Sequence, residues 1–268
     1  MRAKPDLFDL QALEADLAGT VFAGKLHFSA VTDSTNLDAL AAVQAGAPHG
    51  SVFFADEQFA GRGRADHAWH SAAGEGLYVS IVLRPLLPMA RLPLLPLAVG
   101  LAAAAAIDTA SGLRTDLRWP NDLLVGPRKV GGILVEAKAG IGTSGSGGNA
   151  AVAGIGINVH QREFVPALAT PATSLDLETG RYIPRQRLLH LLLKSVQAEM
   201  LALQDAAAEI PRRVAAVSTW IEGRAVEVHG PQACRGVTEG LDANGFLRVR
   251  TAAGVTVVQT GGIRAAAS

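Results

Sequence analysis

The sequence predicts an α+β fold, in which a mixed β-sheet packed with helices is followed by a small β-domain. Two segments have helical character: an alanine-rich stretch over 88–111 and a leucine-periodic stretch over 184–208. Apolar runs of strand length lie before and between them, and from Gly223 short strands alternate with glycine-containing turns. Because the pattern of predicted elements changes in this region, we expect two domains, 1–217 and 218–268.

Composition excludes several classes of protein. The 268 residues carry 24 Lys and Arg against 24 Asp and Glu, so the formal net charge is zero and no DNA partner is expected. Hydrophobic residues make up 49% of the chain, which is enough for a sizeable core. Cys234 is the single cysteine and excludes an internal disulfide. The apolar stretch 92–107 contains prolines and is shorter than the roughly 20 residues of a membrane helix, so we expect a cytoplasmic protein without membrane association.

The first elements are a short helix, a loop and a capped helix. Leucines over 7–17 have helical spacing. The segment 19–26 is close to a phosphate-binding P-loop, but Leu26 stands where that loop needs a hydroxyl and no strand precedes it. The run Asp33-Ser34-Thr35-Asn36 then offers good N-cap residues for a helix over 37–45.

A glycine- and arginine-rich loop, Gln58-Phe59-Ala60-Gly61-Arg62-Gly63-Arg64, lies between predicted strands at 52–55 and 76–83. Glycine permits positive φ and close approach of the backbone to a ligand. Arginine offers a fork of donors that fits carboxylate and phosphate oxygens. The loop therefore predicts an anion cradle; the alternative is a solvated turn with two surface charges.

The middle of the chain predicts four strands separated by turns. They cover 113–119, 123–125, 130–137 and 151–159. A Gly/Ser-rich loop over 139–150 joins the last two. Gly154 and Gly156 are two residues apart and so lie on one face of their strand. A face without side chains leaves room for a flat ligand, or alternatively for a tight strand–helix contact.

The C-terminal part follows the helix over 184–208 and a shorter helical link over 211–220. Four or five short strands are expected after it. They lie near 225–228, 234–241, 246–249 and 255–258. Asp242-Ala243-Asn244-Gly245 predicts a tight hairpin turn between two of them. Short, regular strands of this kind favour a small barrel.

Four motifs, taken in order, resemble those of the biotin–protein ligases. They are Asp33-Ser34-Thr35-Asn36, the loop 58–64, Arg118-Trp119-Pro120-Asn121-Asp122 with Arg128 to Glu136, and Gly154 to Val159. The resemblance runs from about Leu26 to the C-terminus. It implies the catalytic fold shared by biotin ligases and class II aminoacyl-tRNA synthetases, plus a C-terminal SH3-like barrel. About 25 residues precede the first motif, so we expect the short form without an N-terminal DNA-binding domain.

The resemblance also implies an activity. Such ligases activate biotin with ATP to biotinyl-5′-AMP and transfer biotin to a lysine of a biotin carboxyl carrier domain in a biotin-dependent carboxylase. Biotin and ATP would be substrates, with magnesium carried on the ATP phosphates. The expected oligomeric state is a monomer or a homodimer. The alternatives are a lipoate–protein ligase, a non-enzymatic biotin-sensing regulator or an inactive binding module.

Residue roles follow from positions in the matching motifs. The implied catalytic residues are Lys129, Arg64 and Asp122. Residues implied in binding biotin or its adenylate are Ser34, Thr35, Asn36, Gln58, Gly61, Arg62, Gly63, Arg64, Lys129, Gly132, Ile133, Leu134, Gly154 and Gly156. Those implied in nucleotide binding are Trp69, Asn121 and Asn158. No metal-ligand set is predicted, and Asp122 is the candidate for magnesium or for the incoming lysine.

Each of these roles has a simpler alternative. Lys129 could be a surface lysine, Trp69 a core residue and Asn158 a turn cap. Two positions also depart from the family pattern. Ala65-Asp66-His67 stands where more basic residues are usual, and Arg118 stands where lysine is usual.

Overall fold

The computed structural model of the chain describes residues 7–138, 149–164 and 169–266. A seven-stranded mixed sheet forms its centre, in the order β1-β2-β3-β7-β6-β5-β4. Its strands are β1 (Leu26–Thr32), β2 (Val52–Gln58), β3 (Gly76–Leu83), β4 (Asp116–Arg118), β5 (Asp122–Val125), β6 (Arg128–Lys138) and β7 (Ala150–Asn158). The pair β1–β2 is parallel and the other ladders of this sheet are antiparallel. The predicted mixed sheet is confirmed; most of the predicted loop over 139–150 lies outside the described residues.

Helices cover both faces of this sheet. They are α1 (Leu10–Asp16), α2 (Thr35–Gln44), α3 (Leu94–Ser111), α4 (Leu175–Thr179), α5 (Arg185–Ala206) and α6 (Ile210–Val217). On β3, Ile81 belongs to the core formed with α3 and α5, whereas its neighbour Val82 packs with Ala39 and Val43 of α2. Because adjacent strand residues face opposite ways, α2 lies on the opposite face from α3 and α5. All eight residues of β3 are therefore buried.

The buried alanine-rich helix begins later than the sequence predicts. It starts at Leu94, and the proline-rich entry instead contains a single 3-10 turn over Met89–Arg91. Proline has no N–H to donate, so Pro93 and Pro96 are tolerated only at the start of the helix. By length and composition α3 could cross a bilayer, but 72% of that segment is buried inside the protein, as expected for a core helix. The first helix is also shorter than predicted, because Asp9 caps it by accepting from the Ala12 N–H.

The C-terminal strands form a five-stranded antiparallel sheet, in the order β11-β10-β9-β8-β12. They are β8 (Glu222–His229), β9 (Cys234–Leu241), β10 (Leu247–Thr251), β11 (Gly254–Val258) and β12 (Gly262–Ala265). The predicted hairpin turn joins β9 to β10: Asp242 Oδ1 accepts from the N–H of Asn244 and of Phe246, and Gly245 has φ of +83°. Within the described part of the chain the ladders leave β11 and β12 as the two edges, so closure into a barrel stays a prediction.

The C-terminal sheet packs on the central part of the molecule. Trp119 Nε1 donates to the Gly245 carbonyl at 3.0 Å. A Cβ at Gly245 would lie 2.7 Å from Leu97 Cδ1, so the hairpin turn sits directly on α3. The core is continuous across the contact, since Val226 and Leu247 belong to the same buried cluster as Leu97.

We predict that residues 1–217 fold by themselves but with lower stability. Removing 218–268 would expose apolar surface of Leu97 and Trp119, at about 1.5–3 kcal/mol per fully exposed side chain. Near-UV circular dichroism and the thermal midpoint of the truncated protein measure this. A truncated protein that is insoluble or lacks tertiary structure would show that residues 1–217 do not fold without the C-terminal sheet.

Candidate active site

Backbone hydrogen bonds within the loop between β2 and β3 hold it in a closed shape. Trp69 donates its N–H to the Gly61 carbonyl at 2.8 Å, and Gly63 donates to the His67 carbonyl at 2.6 Å. A Cβ at Gly61 would lie 2.3 Å from the Trp69 carbonyl oxygen, so this position requires glycine. The turn that follows includes Ala65 with φ of +51°, a conformation that costs a non-glycine residue free energy. The glycines of the motif are thus used for close approach of backbone to backbone.

Five uncharged side chains form what we call the polar pocket: Thr35, Asn36, Gln58, Ser71 and Ser80. Gln58 Oε1 accepts from the Thr35 N–H at 2.8 Å, and Gln58 Nε2 donates to Ser71 Oγ at 2.8 Å. Ser80 Oγ donates to Asn36 Oδ1 at 2.9 Å and lies 2.8 Å from Thr35 Oγ1. Thr35 and Asn36 are each 4% exposed, so their hydrogen bonds are needed to offset desolvation.

The polar pocket lies at the N-terminus of α2, where backbone N–H groups have no helical partner. Ser34 is the N-cap residue of this helix, but its side chain makes no capping hydrogen bond. Capping alone therefore does not account for the hydroxyl at this position.

Three cations lie around the neighbouring cleft, each with its own acceptors. Arg62 makes a two-pronged ion pair with Glu136, at 3.1 and 3.2 Å. Lys129 Nζ lies 2.5 Å from Asp122 Oδ1. Arg64 instead donates to two neutral oxygens, which belong to Asn121 Oδ1 at 3.1 Å and to a carbonyl of the C-terminal sheet. Among the residues that the structure describes, no carboxylate is hydrogen-bonded to Arg64, which thus retains its positive charge.

Burial lowers the pKa of the Arg64 guanidinium, and the charge of Asp122 partly opposes this. The carbonyl that holds Arg64 is that of Gly261, 2.9 Å away and just before β12. An anion that reached Arg64 would relieve the cost of this partly desolvated charge.

Asp122 is an ionised carboxylate between two cations. Burial raises its pKa, but the charges of Lys129 and Arg118 outweigh that effect and hold the pKa below its ordinary value. Arg118 Nη2 donates to Asp122 Oδ2 at 2.6 Å and also to Thr170 Oγ1 at 2.8 Å. With both oxygens in ion pairs, Asp122 is poorly suited to a metal. Within 7–138, 149–164 and 169–266 no group of three or more His, Cys, Asp or Glu side chains could hold a metal ion.

The two central strands have facing glycines beneath the cleft. Gly132 of β6 pairs with Gly156 of β7. A Cβ at Gly156 would lie 2.5 Å from the Trp69 ring, and one at Gly132 would lie 3.4 Å from it. Trp69 therefore occupies the space that the sequence assigned to a flat ligand. Its Nε1 is buried and has no acceptor among the described residues, and Lys129 Nζ lies 5.5 Å from the ring centroid.

The structure brings most of the predicted residues together. Those around the cleft and the polar pocket are Thr35, Asn36, Gln58, Gly61, Arg62, Arg64, Trp69, Asn121, Asp122, Lys129, Gly132, Gly154 and Gly156. Trp69 is only half-buried, which argues against a core role. Ile133 turns its side chain into the core against Gly100, while its N–H and carbonyl bond Asn121. Ile133 thus contributes backbone to the site. Leu134 does so too, since its carbonyl oxygen would lie 3.4 Å from a Cβ at Gly154, and the Gly63 N–H bonds His67 within the loop.

Asn158 lies behind the cleft. Its Nδ2 donates to the Thr173 carbonyl at 3.0 Å, and the Thr173 N–H donates to the carbonyl of Lys129 at 2.9 Å. This arrangement supports the strand that carries Lys129. A direct role for Asn158 in nucleotide binding stays a prediction.

Sequence reasoning missed three residues of the site: Glu136, Ser80 and Ser71. Glu136 follows Gly132 and Leu134 with the period of two that places all three on one strand face. Ser80 is the one serine of a mainly apolar strand and pairs with Gly154. A search for polar residues facing the glycines would have found these two, whereas nothing local marks Ser71.

Comparison with known proteins identifies relatives along the chain. Residues 28–158 match the Biotin/lipoate A/B protein ligase family. A biotin–[acetyl-CoA-carboxylase] ligase of Paracoccus denitrificans is 34% identical over 85% of this chain and 95% of its own length. The enzyme of that name from Mycobacterium tuberculosis is 32% identical over 98% and 97% of the two chains. A bifunctional ligase/repressor of Bacillus spizizenii is 36% identical over 71% of this chain, but the match spans only 58% of that protein.

Solved structures show the same fold. A biotin protein ligase from Aquifex aeolicus in complex with biotin and ATP superposes with a TM-score of 0.77 and 28% identity, over 90% of this chain and 98% of that one. One from Leishmania major in complex with biotinyl-5-AMP has a TM-score of 0.62 and 22% identity, over 88% and 99% of the two chains.

We predict that the Asp122 ion pairs make the free energy of unfolding depend on pH in the acidic range. A carboxyl group whose pKa is lowered by folding stabilises the native state at pH values above 3.8, its ordinary pKa. This contribution is lost as the pH falls through the lower pKa of the folded state. Asp122→Asn should lower the free energy of unfolding by about 3 kcal/mol at neutral pH. The difference from the wild type should shrink below pH 3.8.

Urea unfolding across this pH range measures the effect. Glu209→Gln is the control, since it breaks the exposed pair with Arg212 and should change little at any pH. A difference between Asp122→Asn and the wild type that does not vary with pH contradicts the prediction.

Proposed function

Because this chain belongs to the Biotin/lipoate A/B protein ligase family, we propose that it is an ATP-dependent biotin–protein ligase. It forms biotinyl-5′-AMP and then transfers biotin to a lysine of a biotin carboxyl carrier domain. Two relatives matched over nearly their whole length are named biotin–[acetyl-CoA-carboxylase] ligases, and the Aquifex aeolicus ligase was solved with biotin and ATP. These names support the substrates and the carboxylase partner assigned here.

One observation carries the proposal: an uncharged polar pocket adjoins a cationic cleft on one face of β7. Asn36 Oδ1 lies over Gly154, and Trp69 lies over Gly156, two residues along the strand. Two residues of a strand span about 7 Å. This arrangement fits a ligand with a neutral hydrogen-bonding head and an anionic tail. Biotin, with its ureido ring and its carboxylate, is such a ligand.

The first step joins two anions, biotin and ATP, so the site has to neutralise their negative charge. A biotin carboxylate oxygen attacks the α-phosphorus of ATP, an O–P bond forms and pyrophosphate leaves. Arg64 and Lys129 are placed to stabilise the negative charge that gathers on the phosphate, and Arg62 to hold the anionic tail. Asn121 contributes by holding Arg64 through its Oδ1. Trp69, with its half-buried ring and its free N–H, is the proposed partner of the adenine.

The second step is attack on the mixed anhydride. The carrier lysine attacks as the neutral amine: its nitrogen forms a bond to the acyl carbon, the bond from that carbon to the phosphate oxygen breaks and AMP leaves, and the extra proton on the nitrogen passes to solvent. Asp122 is a carboxylate whose two oxygens already pair with Lys129 and Arg118. Its low pKa makes it a weak base, so we assign it the role of holding Lys129 in the cleft rather than of taking this proton.

Magnesium would reach this site with ATP. The side chains around the cleft do not fit a metal held by protein ligands, because Asp122 already pairs with Lys129 and Arg118. We therefore assign magnesium to the ATP phosphates and derive no step through it. We also infer a cytoplasmic location, no DNA partner, and closure of the C-terminal sheet into an SH3-like barrel.

The polar pocket favours biotin over lipoate. A dithiolane ring has no strong hydrogen-bond donors or acceptors, so the pocket's buried hydroxyl and amide groups would lose water without replacement. The test is ATP-dependent transfer of labelled acid to a carrier domain, with biotin and lipoate in competition. Preferred transfer of lipoate, or no transfer at all, rejects the proposal. A biotin-sensing regulator would bind biotin and fail to modify the carrier.

We predict that Lys129→Ala slows adenylate formation by about a hundredfold or more. The reason is the loss of the cation beside the reacting phosphate, and the measurement is single-turnover release of pyrophosphate. Arg128→Ala is the matched control, because the adjacent Arg128 pairs with Glu178 at 2.7 Å outside the cleft. A loss below about threefold would remove Lys129 from the site.

We predict that Arg64→Gly releases biotinyl-5′-AMP into solution. In the described part of the chain Arg64 bonds neutral oxygens and no carboxylate, so the adenylate phosphate depends on it for retention. Chromatography of free adenylate, with labelling of bystander lysines, measures the leak. Arg91→Gly is the control, since Arg91 also donates to a carbonyl of the C-terminal part, that of Ala243. Full retention of adenylate by Arg64→Gly contradicts the prediction.

A further inference from the structure

Glu136 joins the polar pocket to the arginine loop, and the proposed function gives it no role. Its Oε2 accepts from Asn36 Nδ2 at 2.6 Å. Its two oxygens also accept from Arg62, at 3.1 and 3.2 Å. Asn36 is 4% exposed, whereas the side chain of Glu136 is 28% exposed. One carboxylate thus connects a buried amide to a cation at the edge of the cleft.

The carboxylate decides which way the Asn36 amide is turned. A carboxylate only accepts hydrogen bonds, so Asn36 must present its NH₂ to Glu136 and its Oδ1 to Ser80. In other surroundings the two orientations of an amide are hard to tell apart. Here the charge of Glu136 excludes one of them.

The orientation of Asn36 then sets the direction of the remaining bonds. Ser80 has one hydroxyl proton and gives it to Asn36 Oδ1. Ser80 must therefore accept from Thr35 Oγ1, 2.8 Å away. Thr35 also lies 3.1 Å from Gln58 Oε1, but its single proton is now committed to Ser80. Gln58 Oε1 keeps the Thr35 N–H as its donor and has a lone pair left for a ligand.

We propose that Glu136 is a positioning residue that fixes the donor and acceptor polarity of the polar pocket while holding Arg62 at the cleft. The pocket so polarised offers acceptors on Thr35 and Gln58 to the N–H groups of a ureido ring. This inference rests on the proposed function, because it takes biotin as the ligand. Glu136 itself touches neither the reacting carboxylate nor the phosphate.

Glu136→Gln tests the inference. Glutamine can donate as well as accept, so Asn36 is free to turn over and the pocket loses its defined polarity. The KM for biotin in pyrophosphate release should rise about tenfold, while kcat stays within about threefold of the wild type. Glu227→Gln is the matched control: it breaks the exposed pair with Arg235 in the C-terminal sheet and should change neither constant.

The decisive experiment exchanges the amide of Asn36 and the carboxylate of Glu136. Asn36→Asp sets two carboxylates against each other and should raise the KM for biotin more than Glu136→Gln does. The double variant Asn36→Asp/Glu136→Gln restores one acceptor and one amide donor, and it should recover about tenfold of that loss. Thermal unfolding of every variant reports whether it is folded.

The outcomes separate the two proposals. A wild-type protein that releases no pyrophosphate with biotin and ATP rejects the proposed function. An active wild type with a biotin KM for Glu136→Gln within about twofold of its own overturns the role of Glu136. The role of Glu136 is also overturned if the increases in biotin KM of the two single variants multiply in the double variant. If Glu136→Gln does not fold alone, the exchange decides, and a double variant without recovery counts against the inference.

Discussion

The register between β6 and β7 is the constraint on which the site depends. It places Gly132 opposite Gly156 and Leu134 opposite Gly154, so three glycines meet on the face of the sheet that α2 covers. Without side chains there, the Trp69 ring and the Asn36 amide approach the backbone directly. A shift by one residue would turn this face toward α3 and α5 and place apolar side chains under the loop. The cleft, the polar pocket and the loop contacts all follow from this pairing.

Charge in the site is partly balanced by ion pairs. Glu136 neutralises Arg62, whereas Asp122 shares its single negative charge between Lys129 and Arg118 and leaves one positive charge in excess. Ion pairs of this kind keep several partly buried cations close together without large mutual repulsion. Arg64 is the exception, since its partners are neutral oxygens. The excess positive charge of the cleft therefore lies on Arg64 and on the group formed by Lys129, Arg118 and Asp122.

The C-terminal sheet is part of the site's architecture as well as a separate layer. The Gly261 carbonyl holds Arg64, and the Gly245 carbonyl accepts from Trp119, in the motif that also supplies Asn121 and Asp122. Both contacts use backbone oxygens at turns, so they depend on the position of the sheet and little on its side chains. This explains how Gly261 can hold Arg64 although the two residues are 197 positions apart in the chain.

Most helices and strands, and the motifs that resemble those of the biotin–protein ligases, could be predicted from the sequence alone. Periodicity located the long helices, and β3 was predicted over the residues where it is found, because local apolar patterns follow the periods of helix and strand. Residue types alone also predicted a ligand site at Arg64 and the glycines, whereas Lys129 was predicted from the resemblance of its motif to those of the biotin–protein ligases. Only the tertiary structure decided the partners: Glu136 for Arg62, Trp69 over Gly156, and Gly261 for Arg64. These contacts join distant segments, and their pairing depends on strand register and on how two sheets dock, for which no local pattern exists.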